Sequence, residues 1–147
     1  MDTILTYLRQ LEANNNKTWF DAHKSEYQEA RAHFNAIVEK LIDGIMSFDP
    51  SVKGVGIKES TYRIHKDMRF SKDGLPYKTH FGAFICRGGK KSGFSGYYFH
   101  IGTGSGEEYP CKSFLAIGNY YMEPKVLKIV REDIELGGGD FDRIIKG

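Results

Sequence analysis

A chain of 147 residues fits one domain, and a globule of that size buries roughly 70% of its unfolded surface. With 40% hydrophobic and 27% charged residues, the composition excludes the disordered and fibrous classes. The net charge of +2 is too small to mark a nucleic-acid partner by itself, so any cationic patch has to be local.

The two cysteines, Cys86 and Cys111, are far apart and form no CxxC pair. Two thiols in a reducing cytoplasm are therefore expected, rather than a disulfide framework or a zinc site. The opening Met1-Asp2-Thr3-Ile4-Leu5 has no basic, then apolar, export pattern, and no apolar run approaches the ~20 residues that span a bilayer. A cytoplasmic protein with no membrane partner, no metal and no cofactor is the expectation.

Ile4, Leu5, Leu8 and Leu11 recur at helical spacing, and Asn14-Asn15-Asn16 ends that first short helix. A second helix is predicted from Thr18, with Asp21 three residues on as a variant of the capping box. Phe20, His23, Tyr27, Ala30, Phe34, Ile37, Leu41 and Ile45 then form a single long stripe closed by Asp49-Pro50. Trp19 and Phe20 read as anchors of that helix.

From Gly54 the period becomes alternating. Residues 57–65 read as a strand, with Tyr62 and Ile64 on one face and Glu59, Thr61, Arg63 and His65 on the other. Residues 80–87 read as a central strand, residues 88–93 as a turn, and residues 97–102 and 113–121 as further strands. Short links without helices between them predict an antiparallel sheet. After Glu123-Pro124, Val126, Leu127, Val130 and Ile134 restore the helical period. Gly137-Gly138-Gly139 stops it, and Asp140 is expected to cap a last short helix.

The fold expected is α+β: an antiparallel sheet of about four or more strands flanked by N-terminal and C-terminal helices. One domain is expected over residues 1–147, helical over 3–48, sheet over 55–121 and helical over 123–146.

The chemically unusual stretch is residues 63–80. Arg63, Lys66, Arg69, Lys72 and Lys78 supply five cations, against two anions from Asp67 and Asp73. Most lie in a link of about a dozen residues between predicted strands, where two to five are usual, and long links are often functional. Two readings stand side by side. Arg63 and Arg69 can form a fork for a carboxylate or phosphate, with Lys66, Lys72 and Lys78 adding positive field. Alternatively, Asp67 and Asp73 pair with the arginines and hold the loop in one shape.

The stretch resembles the signature of a mainly bacterial domain-of-unknown-function family, approximately Arg-x-x-Arg-Asp-x-Arg-Phe-Ser-Lys-Asp-Lys-x-Pro-Tyr-Lys-Thr-His. Arg63, Asp67, Arg69, Phe70, Ser71, Lys72, Asp73, Pro76, Tyr77, Lys78, Thr79 and His80 match it, while Lys66 and Gly74 depart from it. The segments Asn14-Asn15-Asn16-Lys17-Thr18-Trp19-Phe20-Asp21 and Gly96-Tyr97-Tyr98-Phe99-His100 are similar to that family as well. The resemblance implies no particular activity. It implies that members usually continue with a further basic segment, so this chain reads as shorter than they are.

His80 and His100 stand on predicted strands beside Tyr77 and Tyr98. If these strands neighbour that of Arg63, one polar face gathers Glu59, Arg63, His80 and His100, a set able to support general acid–base chemistry. Asp67 is a further catalytic candidate. Gly102-Thr103-Gly104-Ser105-Gly106 lacks the Gly-Lys-Ser/Thr and the following helix of a phosphate loop, and reads as a glycine-rich hairpin. Tyr120 and Tyr121 offer a stacking surface.

The candidate ligand set is therefore Arg63, Lys66, Arg69, Lys72, Asp73, Tyr77 and Lys78, with His80, His100 and Asp67 as candidates for catalysis. An anionic small molecule is the partner expected first. A nucleic-acid module and an ion-paired loop at a protein interface are the alternatives.

Overall fold

The first helix, α1 (Asp2–Ala13), buries Ile4, Tyr7, Leu8 and Leu11, the residues that a 3.6-residue period brings to one face. The structure is a computed structural model that describes residues 2–69, 74–104, 112–119 and 122–146. Asn16 rather than Thr18 caps the next helix, α2 (Lys17–Ala22), its side-chain oxygen accepting the Trp19 N–H at 2.9 Å. An N-terminal amide acceptor satisfies one of the orphan donors of the first turn.

The long helix predicted from Thr18 is in fact two. It breaks at His23, whose ring stacks on Trp19 with centroids 4.0 Å apart and whose Nδ1 lies 2.8 Å from the Trp19 carbonyl. Helix α3 (Lys24–Met46) then runs for 23 residues and buries Ala30, Phe34, Val38, Ile42 and Ile45. Ala30, Phe34 and Ile45 are buried as the stripe predicts, but along the continuous α3 Val38 and Ile42 take the central core positions. Ile37 and Leu41 of the continuous stripe are only partly buried.

Residues 57–65 are not a strand. Residues Ile57–Ser60 form one helical turn, α4. Glu59 Oε2 accepts from the Gly56 N–H, Ser60 Oγ donates to the Gly56 carbonyl, and Thr61 Oγ1 donates to the Ile57 carbonyl. Such local side-chain bonds offer the backbone an alternative to a sheet ladder. What remains of the pairing is two isolated bridges, Thr61 with Ala83 and His65 with Tyr77.

Among the described residues the sheet has three strands, not four or more. They are β1 (His80–Ile85), β2 (Gly96–Gly102) and β3 (Phe114–Gly118), antiparallel in the order β1-β2-β3. The α+β class stands. Gly88 and Gly89, at φ of 73° and 83°, turn the chain out of β1 in the left-handed region that glycine occupies at no steric cost.

Successive strand residues point to opposite faces. Phe81, Ala83, Ile85 and Ile101 face the helices and are buried. Phe34 of α3 stacks on Phe99 and leans on Phe81. That layer, α1 and α3 against one sheet face, is the core, and it leaves the opposite face of the sheet for other uses.

Helices α5 (Pro124–Leu136) and α6 (Gly138–Lys146) form where the periodicity places them, but neither has a buried residue. Asp140 lies inside the first turn of α6 rather than at its cap. Among the described residues, no helix is long and apolar enough to cross a membrane.

Candidate functional site

The sheet face turned away from the helices carries Lys78, His80, Gly82 and Phe84 at every second position along and just before β1. Their neighbours on that face are Tyr98 and His100 of β2 and Phe114 and Ala116 of β3. The period of two that buries Phe81, Ala83 and Ile85 on one side is what gathers these residues on the other.

The segment over 61–66 runs beside the start of β1. It is held by the Tyr62 N–H to the Gly82 carbonyl at 3.0 Å and the Lys78 N–H to the Ile64 carbonyl at 2.9 Å. Arg31 of α3 fixes it from below, donating to the Tyr62 carbonyl at 2.9 Å and to Thr61 Oγ1 at 2.7 Å.

The result is an open groove of about 840 Å³. Tyr62, Phe84, Tyr98 and Phe114 contribute rings to it, Phe94 stands at its edge, and Arg63, Lys78, Lys90 and Lys91 contribute cations. His80 lines it as well. Among the described residues, no aspartate or glutamate lines it.

Rings cross the sheet in a row: His80 stacks on His100 at 4.4 Å between centroids, and His100 stacks on Phe114 at 4.9 Å. His100 is completely buried between them, and its Nδ1 shares a hydrogen bond of 3.0 Å with the Tyr98 hydroxyl. His100 thus supports the ring layer from within, while His80 faces the groove.

Gly82 is the position that lets Tyr98 lie down. A Cβ there would stand 2.8 Å from the Tyr98 hydroxyl oxygen, closer than side chains pack. A side chain at this position would push the tyrosine ring aside from its place across β1.

Burial first, then His100, Lys78 and Lys66, push the pKa of His80 down to about 3. Its imidazole is therefore neutral at physiological pH. Burial, followed by the charges of Arg63 and Lys66, also lowers the pKa of Lys78, whose ammonium sits 5.7 Å from the centre of the Tyr62 ring. Like charges are crowded at this end of the groove. At the other end Lys90 is anchored, its Nζ donating to the Lys58 carbonyl at 2.6 Å.

Of the residues singled out in the sequence, Arg63, Lys78 and His80 come together here. Asp67 and Arg69 form a two-pronged pair instead, with Arg69 Nε to Oδ1 at 3.0 Å and Nη2 to Oδ2 at 2.7 Å. The Arg69 hydrogen bonds, with a further contribution from Arg63, hold the Asp67 carboxyl below the usual range. Lys66 sends its N–H to the Pro76 carbonyl at 2.9 Å.

Tyr77 is a core residue, stacked on Phe20 at 4.1 Å. The Asn15 side chain clamps its backbone, accepting from its N–H at 3.1 Å and donating to its carbonyl at 2.9 Å. Glu59 stays on α4, away from the histidines it was expected to join. Lys72, Asp73, Ser105, Gly106, Tyr120 and Tyr121 lie outside the described residues.

Gly82, Phe84, Lys90, Lys91, Phe94 and Phe114 were not foreseen. The every-second-residue pattern Lys78, His80, Gly82, Phe84 was the signal that could have found the first two. Cys86 is a buried free thiol whose Sγ donates to the Gly89 carbonyl at 3.1 Å. Among the described residues, no three His, Cys, Asp or Glu side chains gather as a metal set.

No curated protein and no solved structure matches the chain. The model of a family described as conserved hypothetical protein (DUF2461) matches residues 3–147, and the chain belongs to that family.

Proposed function

We propose that the groove on the outer sheet face binds a small molecule carrying a carboxylate or phosphate, with Arg63 and Lys78 as its anion-binding end and His80 beside them. The observation that carries this reading is the crowding of like charge, Lys66 and Lys78 about the partly buried His80 and Arg63 and Lys66 about Lys78, in a groove whose described lining holds no acid. An anion there relieves like-charge repulsion that the folded chain otherwise bears. Guanidinium and ammonium donors give it charge-assisted hydrogen bonds. A neutral His80 adds one hydrogen-bond donor and one acceptor.

The stretch over residues 63–80 divides between two tasks in this reading. Arg63, Lys78 and His80 serve the ligand, and the Asp67–Arg69 pair shapes the link. We infer a cytoplasmic location as well, in keeping with Cys86 as a buried free thiol.

Lys78→Ala is expected to weaken binding of inorganic phosphate about ten- to a hundredfold, the worth of one hydrogen bond to a charged group. Titration calorimetry on wild type and variant measures it. Equal affinities in the two proteins would remove Lys78 from the site. A single-stranded nucleic acid lying over the same rings would reveal itself differently, by affinity for an oligonucleotide that falls steeply with salt.

A further inference from the structure

We propose that the ligand of this groove joins a planar ring to its anionic group, the ring lying on Phe84, Tyr98 and Phe114 and the anion at Arg63 and Lys78. The inference rests on the reading of the groove as an anion site and adds the class of molecule that fits it.

Size is the first argument. At about 840 Å³ the groove far exceeds what a bare phosphate or carboxylate fills, and it falls within the range of roughly 300–1,000 Å³ that holds whole organic ligands.

Chemistry is the second. Phe84, Tyr98 and Phe114 come from three different strands, yet the register sets Phe84 opposite Tyr98, and Phe114 packs against the Tyr98 ring with centroids 5.5 Å apart. Aromatic rings that line a groove favour a flat partner, stacked with an offset or edge-on. An aliphatic chain would gain only area.

Space is left above those rings. Gly82 and Ala116 are the residues between them on this face, so no large side chain fills the floor. The tip of the Tyr98 ring sits over Gly82, where a Cβ would stand 2.8 Å from its hydroxyl oxygen.

Charge sets the direction. Lys90 at the far end is bonded to the Lys58 carbonyl, whereas Lys78 sits over the Tyr62 ring at the His80 end. In this proposal the anion sits with Arg63 and Lys78 beside His80, and the ring extends from there across the sheet. Planar aromatic phosphates and carboxylates, mononucleotides among them, have this shape.

The test uses the whole chain and three probes: inorganic phosphate, ethyl phosphate and phenyl phosphate, titrated by calorimetry at fixed salt. Phenyl phosphate is expected to bind about tenfold more tightly than ethyl phosphate, the lower part of the range for stacking a ring on an aromatic side chain. Tyr98→Leu should bring that ratio close to one. So should Gly82→Ala, which displaces the tyrosine without deleting it.

Equal affinities for phenyl and ethyl phosphate in wild type would overturn the inference while leaving the anion site standing. If none of the three binds, the anion reading itself fails. If phenyl phosphate fails to bind while a single-stranded oligonucleotide binds with a steep salt dependence, a nucleic acid is the partner, and the small-molecule inference is overturned.

Discussion

Acidification from pH 7 to pH 4 is expected to destabilise the wild-type chain by several kcal/mol more than its His80→Gln variant. His80 titrates near 6.5 when unfolded and near 3 in the fold, lowered first by burial and then by His100, Lys78 and Lys66. Between those two values the unfolded chain holds a proton on this imidazole that the folded chain does not. Stability therefore falls as pH drops through that window, levels off below it, and is unaffected by this group above pH 6.5. Each unit of the gap corresponds to about 1.4 kcal/mol.

The carboxyls of Asp49 and Asp67, also held low in the fold, contribute their own loss at lower pH. They do so in both proteins and cancel in the difference. Urea midpoints at pH 7, 6, 5 and 4 measure the effect. Parallel curves for wild type and variant would show that His80 is not held neutral by its surroundings.

Phe34→Ala should be the most damaging single truncation in the helix–sheet core. Phe34 is fully buried, leans on Phe81 at 5.2 Å and stacks on Phe99 at 5.8 Å. The Arg31 guanidinium lies 5.6 Å from the centres of both the Phe34 and Phe81 rings. Removing the ring deletes apolar burial, leaves a cavity between the layers, and loosens the arginine that holds residues 61 and 62.

Buried Phe-to-Ala changes cost about 3–5 kcal/mol. At this chain length that corresponds to a melting temperature lower by roughly 10 °C. Phe48, 67% exposed, is the control, and its truncation should cost a small fraction of that. Thermal melts followed by circular dichroism measure both, and similar losses at the two positions would contradict the placement of the core.

The helical part was legible because apolar residues at three- and four-residue spacing leave few other folds. The error there was local: a stripe read as continuous from Phe20 to Ile45 ran through His23, where α2 ends and α3 begins, and it placed Ile37 and Leu41 where Val38 and Ile42 are buried. Residues 57–65 misled for a different reason. Their alternation resembles a strand, but Glu59, Ser60 and Thr61 each have a side-chain oxygen that reaches backbone within four residues, and those bonds close a helical turn.

The site was half legible. Arg63, Lys78 and His80 stand out as charge in a short stretch. Tyr98, Phe114, Lys90 and Lys91 join them only through strand register and the turn after β1, which no local pattern specifies. The Asp67–Arg69 pair was one of two alternatives the sequence left open, and the geometry assigns those two residues to each other.

The central claim is that an anion is bound on the outer face of the sheet rather than at the turn beyond Arg63. Titrating phenyl phosphate into isotopically labelled protein and following amide and aromatic resonances tests it directly. The account predicts saturable shifts at Tyr62, Lys78, His80, Gly82, Tyr98 and Phe114, with Asp67 and Arg69 little moved. Shifts centred on Asp67 and Arg69 with the sheet face silent would contradict it, as would a titration that never saturates.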